Sequence, residues 1–452
     1  VAARSHLRIR RLRALVAGGA VLAALTTAAA CTSAAPGSPT ERDDGSLVAW
    51  AHAGTIEERA AMRGIVADWN DTNPDARVEL VELTEGDYGN AVQTAIVAGE
   101  LPDVLEVDGP LVASYVHQGA LLPLDGRLAP EVDDAMLASL RTQGTVAGRL
   151  HAVGMFESGL GLFADRDRLA EVGARVPRGP GDAWSAREFR DVLADLADTD
   201  PDRRVLDLKR NYGVGEWLTY GFAPLVWSAG GELLDPRTGR ASGALDSDAA
   251  VRALTVLRSW QPYVDPNPDD RAFPDRRVAL SWVGHWAYPA YAEALGDDLV
   301  LLPLPDLGEG SRSTSGSWAW AVSAATPRPD TAVSFLEHLV STRSVRTMTE
   351  ANGAVPGTWP ALEADPRFDP GGALAPYAEA LTHPCSGSPD EGCVATARPR
   401  TPAYPTLTYA FASAVDAVLR GQDPAAALAE AADAVDADIA ANDGYRRAVP
   451  DG

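Results

Sequence analysis

Reactive side chains are scattered through this sequence in no spacing that supports covalent chemistry. There is no HExxH, no CxxC pair and no G-x-S-x-G, and the one lysine, Lys209, is followed by Arg210, which excludes a Walker A loop. Gly159-x-Gly161-x-x-Ala164 matches a degenerate dinucleotide fingerprint, yet it lies inside an apolar run with no helix opening behind it, so no nucleotide cofactor is expected. The 7 histidines are dispersed and no metal cluster is expected. Carboxylates are plentiful, 63 in all, so counting alone leaves room for a glycosidase-type pair. The chain also carries 11 tryptophans. Aromatic faces with carboxylates, amides and arginines beside them are the means of non-covalent recognition of a polar solute.

The 452 residues allow two or three domains with sizeable cores. Formal net charge is −24, and it becomes −29 once the five arginines of the first thirteen residues are removed, which makes nucleic acid an unlikely partner. Their removal is expected. Arg4, Arg8, Arg10, Arg11 and Arg13 precede an apolar segment from Ala14 and a run of small residues ending in Cys31, the layout of an export signal over residues 1–30. Arg10-Arg11 also suits twin-arginine export, but Arg13 stands where an apolar residue is wanted. Residues 31–46, rich in Ser, Pro, Gly and Ala, are expected to be a flexible tether. Cys385 and Cys393 remain, an even pair in a turn-rich stretch of an exported chain, and are expected to form a local disulfide.

Along the mature chain, Ser46 to Trp50 alternates like a first strand, and His52 lies in the loop that follows it. Met62, Ile65, Val66 and Trp69 recur at helical spacing until Asn73-Pro74, and residues 77–83 form a second strand, so the chain opens as β-α-β with a right-handed crossover. A helix over 88–98 ends at Gly99 and leads to the strand closing on Asp108. Ser185 caps a helix with Glu188 three residues on, a capping box, and Trp184 packs beneath it. Trp217, Tyr220 and Pro224 share one helix face, with Trp227 at its end. Residues 247–260 form an amphipathic helix. Val278-Ala279-Leu280 is a buried strand that delivers Trp282, Gly284, His285 and Trp286 at its C-terminal end, where open α/β sheets bind ligands. Two tail helices follow Arg398-Pro399-Arg400, the second starting at Asp423-Pro424.

Several stretches resemble one family. FPDRRVALSWVGHW (273–286), AGELPDVLEV (98–107), HQGALLPLD (117–125), the helix start at Trp184 to Phe189, the Gly230-Gly231 turn, GSWAWAV (316–322) and Gly353-Ala354-Val355-Pro356 occur in the order found in extracellular solute-binding proteins of maltose-binding-protein-like type, which feed sugars to ABC importers. The resemblance runs from Leu47 to about Ile439. In detail the chain departs from the pattern: Gly154 stands for a proline, Ala164-Asp165 for Tyr-Asn, and Ser317 for the second glycine of a Gly-Gly pair. A Cys directly after Ala28-Ala29-Ala30 is similar to a lipobox, which implies a lipid on Cys31 although the usual Leu is absent from position 28.

The resemblance implies an α/β, two-lobe periplasmic-binding-protein-like fold, each lobe a central β-sheet flanked by helices and joined to the other by a hinge. It implies an N-terminal lobe of residues 47–153 plus 275–325 and a C-terminal lobe of 154–274 plus 326–452, with the strand before Trp286 returning the chain to the first lobe. Ligand-binding residues carried over from it are His52, Asp108, Glu157, Ser158, Trp217, Tyr220, Trp227, Trp286, Ser317, Trp318, Arg398 and Tyr404. The protein is then expected to be a lipid-anchored, monomeric, non-enzymatic binding protein on the outer face of the cell membrane that hands a sugar or oligosaccharide to a permease, with no cofactor and no nucleic acid. An exported carbohydrate-active enzyme is the competing reading. A peptide or other polar ligand anchored on Arg398 is another.

Overall fold

A computed structural model describes residues 45–382, 385 and 393–445. Cys31, the expected export signal and the expected tether up to residue 44 lie outside the described residues.

The first strand, Leu47–Ala53, pairs in parallel with Val78–Thr84 on one side and with Val104–Asp108 on the other. Trp318–Val322 then adds antiparallel to Val104–Asp108, and the short strand Ala152–Val153 closes a five-stranded sheet. Helix Ile56–Thr72 makes the crossover and buries Met62, Ile65, Val66 and Trp69, the face expected from their spacing. Its start is fixed by a capping box. Thr55 accepts from the Glu58 amide while Glu58 accepts from the Thr55 amide, a reciprocal pair worth about 1 kcal/mol. The helix before Val104–Asp108 spans Glu85–Ala98 and stops at Gly99, whose φ of +70° supplies the left-handed cap.

A second sheet runs, in order, Val264–Asp265, Leu206–Asp207, Leu280–Gly284, Leu160–Asp165 and Leu299–Leu302. Leu280–Gly284 is its central strand, parallel to Leu206–Asp207 and antiparallel to Leu160–Asp165. This corrects the expected return of that strand to the first lobe. The physical reason lies in Trp282, fully buried, whose ring packs on Phe222 and Trp260 and whose Nε1 donates to Gly221 O at 2.8 Å. Those partners all belong to helices over the second sheet, Glu216–Ser228 and Asp248–Ser259 with its cap. Burying such an indole stabilises by about 2–3 kcal/mol, and an apolar strand buried on both faces carries no mark of which sheet receives it.

Residues beyond 326 also depart from the expected division. In helix Pro329–Leu339, Phe335 meets Trp69 edge-on at 5.4 Å and His338 Nε2 lies 3.0 Å from Ile65 O, so it packs on the first helix. Helix Thr342–Asn352 does the same through Arg343–Asp68. The tail helices Tyr404–Leu419 and Pro424–Ala441 stand where the sequence put them, as a buttress, with Thr408 Oγ1 2.9 Å from Thr219 Oγ1. Ser185 does cap helix Ala186–Thr199, but Glu188 turns its carboxylate to Arg175 rather than back to the cap. Arginine is the stronger partner at 2.6 Å.

Cys385 and Cys393 are joined in a disulfide with Cα atoms 5.0 Å apart. Closing so short a loop restricts the unfolded chain by about 2–3 kcal/mol. Free-thiol titration of the unreduced, denatured protein is therefore expected to find neither of these sulfurs, and the Cys385→Ser/Cys393→Ser variant to unfold at lower urea; two reactive thiols from this pair would overturn the assignment.

Candidate ligand-binding site

Three chain segments pass between the two sheets, around residues 153–160, 315–318 and 352–357, and they are tied to one another. Phe156–Glu157 pairs with Val355–Pro356, and Ser313–Ser315 pairs with Ala395–Ala397. Glu157, only 1% exposed, accepts at Oε1 from the amides of Ser158 (3.0 Å) and Gly316 (2.7 Å). Ser158 Oγ sits 3.0 Å from both His285 Nε2 and Ser317 Oγ. His285 Nδ1 faces the Asn352 carbonyl at 2.9 Å, and since a carbonyl only accepts, the ring proton is on Nδ1. Burial holds that imidazole below its ordinary value, which keeps it neutral. Gln143 clamps Ser317 from helix Ala138–Gly144, with Nε2 donating to its carbonyl and Oε1 accepting from its amide, both at 2.8 Å. Gly316 has φ of +103°, and a Cβ there would come within 2.8 Å of that Gln143 oxygen. No other residue fits that turn.

Arg398 enters this junction from the strand Ala395–Ala397 and is 4% exposed. Its guanidinium makes a fork on Asp108, the last residue of its strand, with both bonds 2.8 Å, and reaches Glu216 Oε1 at 2.6 Å and Gly316 O at 3.3 Å. Tyr404 and Thr408 donate to the two oxygens of Glu216. Tyr220, one turn along from Glu216, lays its ring 4.9 Å from Arg398 Cζ. Burial pushes the carboxyls of Glu157 and Glu216 up from their ordinary value, opposed by the Arg398 charge. Burial alone would depress the guanidinium, but Asp108 and Glu216 hold it well above its ordinary value. It stays charged.

Two aromatic groups flank this ion cluster. On the first-sheet side the ring of His52 stacks on Trp318 at 4.0 Å and 8°, with Tyr88 edge-on to the indole at 5.4 Å. His52 Nδ1 lies 2.7 Å from Glu106 Oε2, and Trp318 is the register partner of Asp108. On the second-sheet side Trp286 meets Trp217 and Tyr220, each with ring centroids 6.1 Å away, and its Nε1 donates to Tyr212 Oη at 3.1 Å. Gly284 permits this fold-back, because a Cβ there would come within 2.1 Å of the Trp286 ring. Beneath Tyr212 is Lys209, 1% exposed, bonded to Asp270 at 2.6 Å and 3.3 Å from Asp207, with its ammonium 5.7 Å from the Tyr212 ring and 5.4 Å from that of Tyr291.

Eleven of the twelve residues carried over by resemblance thus meet in one region. Trp227 does not. It shares a helix face with Trp217 and Tyr220, but ten residues of helix put it about 15 Å along the axis from Trp217, and no ring contact joins it to them among the described residues. Glu216, Gln143 and Tyr212 were missed by sequence reasoning, and His285 was noted only as a strand-end residue, without a role. Glu216 had a readable sign, an acidic residue opening the aromatic helix one turn before Tyr220; Gln143 had none. Among the described residues no group of three or more His, Cys, Asp or Glu side chains is placed to hold a metal.

Compared with known families, residues 53–345 match the model of the bacterial extracellular solute-binding proteins. The chain belongs to that family. An uncharacterized lipoprotein from the oleD 5′ region of Streptomyces antibioticus is 31% identical over 144 residues, which is 32% of this chain and 31% of that protein. Among solved structures, the GacH receptor of Streptomyces glaucescens, seen unliganded and with acarbose, shares 22% identity and a TM-score of 0.72 over 86% of this chain and 97% of its own. A Thermotoga lettingae ABC-transporter solute-binding protein bound to α-D-tagatose has 22% identity and a TM-score of 0.72 over 87% and 99%. The α/β fold with two helix-flanked sheets is the two-lobe fold of these binding proteins.

The Asp108–Arg398–Glu216 cluster has a measurable weight. Arg398→Met leaves two carboxylates facing each other in a buried site, and stability in urea is expected to fall by about 3–5 kcal/mol, with Arg398→Met/Asp108→Asn costing less than the sum of the single changes. A loss within the ~1 kcal/mol of an exposed ion pair would show that the guanidinium is not enclosed.

Proposed function

We propose that this solute-binding protein takes up a sugar or oligosaccharide between its two sheet-based halves and passes it to the permease of an ABC importer. The observation that carries the reading is the placing of Trp286, half-buried and braced by Tyr212, next to Tyr220 and the Arg398 cluster. A half-exposed indole offers a face to the CH side of a pyranose, and polar groups at its foot offer partners for the hydroxyls. Relatives that carry acarbose or tagatose support a carbohydrate ligand. Asp108, Glu157, Trp318, His52, Trp217 and Tyr404 complete the site in this reading, while Ser158 and Ser317, bonded to each other, shape the hinge behind it. The reading is non-enzymatic, supported by the commitment of Asp108 and Glu216 to one guanidinium, which is not the layout of an acid and a nucleophile set apart for hydrolysis.

A thermal-shift screen of the mature protein against sugar, polyol and peptide panels tests the class of ligand, because a ligand of the folded state raises its melting temperature. Peptides that shift it while no sugar does would overturn the carbohydrate reading. With a sugar in hand, Trp286→Ala is expected to lose at least about tenfold in affinity with little change in the melting temperature of the free protein. A variant that melts many degrees lower yet keeps its affinity makes Trp286 a core residue.

We also propose that the protein is a monomer anchored through a lipid on Cys31, supported by the lipobox-like run before it and by the lipoprotein among its relatives. Cys31→Ser is expected to move the protein from the membrane fraction to the medium. Mass spectrometry finding an unmodified mature N-terminus at another residue refutes the anchor.

A further inference from the structure

The floor of the proposed site is electrically unbalanced. Asp108, Glu157 and Glu216 gather around one cation, Arg398, and the next arginine along, Arg400, is spent on the carbonyls of Thr142 and Thr145. Two negative charges in excess, with Glu157 fully buried, are costly where water is scarce, and a site so loaded either takes up protons or a cation. The upward displacement of the Glu157 and Glu216 carboxyls is the protein's own partial answer.

A second observation points to an occupant. Tyr220 is 7% exposed, and its hydroxyl, which lies in the field of Arg398, Glu157, Asp108 and Glu216, has no hydrogen-bond partner among the described residues. An unpaired buried hydroxyl is costly, so its persistence marks a place where a ligand or water completes it. Arginine cannot accept a hydrogen bond, whereas a phenol oxygen and carboxylate oxygens can. A phenol can also donate, so the unfilled capacity here includes acceptors, and these lie under a negative field. Glu216, with its side chain one-third exposed, gives access from the side of the Trp286 shelf.

We infer that the ligand of this protein carries a protonated amine, seated on the acidic floor between Tyr220, Glu157 and Glu216 while its ring lies on Trp286. This rests on the carbohydrate reading and narrows it to basic, amine-bearing saccharides or pseudosaccharides. One N–H donates to Tyr220 Oη and the charge balances the cluster in place of bound protons.

The test uses matched pairs on the mature protein by thermal shift and calorimetry: glucosamine disaccharide against its N-acetylated form, and acarbose against maltotetraose, with spermidine as a cation that is not a sugar. The amine-bearing member of at least one pair is expected to bind ten times or more tighter than its neutral partner. Glu157→Gln keeps the acceptor used by the Ser158 and Gly316 amides and is expected to cut that ratio by at least threefold; Glu216→Gln serves if the first variant fails to fold. Neutral members binding as well as or better than the amines overturn the inference and leave the carbohydrate reading standing. A shift with spermidine alone keeps the cation seat and removes the carbohydrate reading. No shift with any amine overturns the inference.

Discussion

A guanidinium taken out of water is the constraint on which this junction depends. Arg398 cannot shed its proton, so it must be matched in place, and the fork it makes on Asp108 pins the end of a first-sheet strand to the segment that runs alongside Ser313–Ser315. The same group then orders Glu216, and through it Tyr404 and Thr408, so the first turn of one helix and the first turns of another are set by a single charge. Tyr220 lies against the other face of that charge and carries Trp286 at its side. Packing, electrostatics and the aromatic shelf are one assembly.

The three segments that join the sheets are held by hydrogen bonds in addition to the apolar packing of Met155, Phe156 and Val355. Glu157 and Gln143 both grip the Gly316-Ser317 backbone, and His285 links Ser158 to the end of helix Thr342–Asn352. Hydrogen bonds of this kind are directional, so they restrict bending to motions that keep donors and acceptors aligned. Apolar contacts alone would allow sliding. A solute-binding protein that closes about its ligand needs such a restricted hinge, and the polar residues concentrated in it supply the restriction.

Much of this was legible in the residues. Met62, Ile65, Val66 and Trp69 announced a helix face, Asp423-Pro424 a helix start, and the family motifs announced the fold. What could not be read was allegiance. Leu280–Gly284 is as apolar as any inner strand, and only the contacts of Trp282 with Phe222 and Trp260 decide which sheet it joins. The site divided along the same line. Residues at strand ends, such as Asp108 and Trp318, were reached by motif, whereas Trp227 was grouped with Trp217 by helix face, and a shared face says nothing of distance along the axis. Gln143 and His285 act through partners tens to more than a hundred residues away, and no local pattern records that.

Lys209 has a consequence outside recognition. It is the chain's one lysine, and its ammonium is enclosed by Asp207, Asp270 and two tyrosine rings. Every basic side chain that meets solvent among the described residues is therefore a guanidinium or an imidazole, neither of which gives a stable amide with an active ester. Amine-directed dyes, biotin esters and aldehyde fixatives find no side-chain primary amine on that surface, so stable amine coupling there is left to the amino terminus.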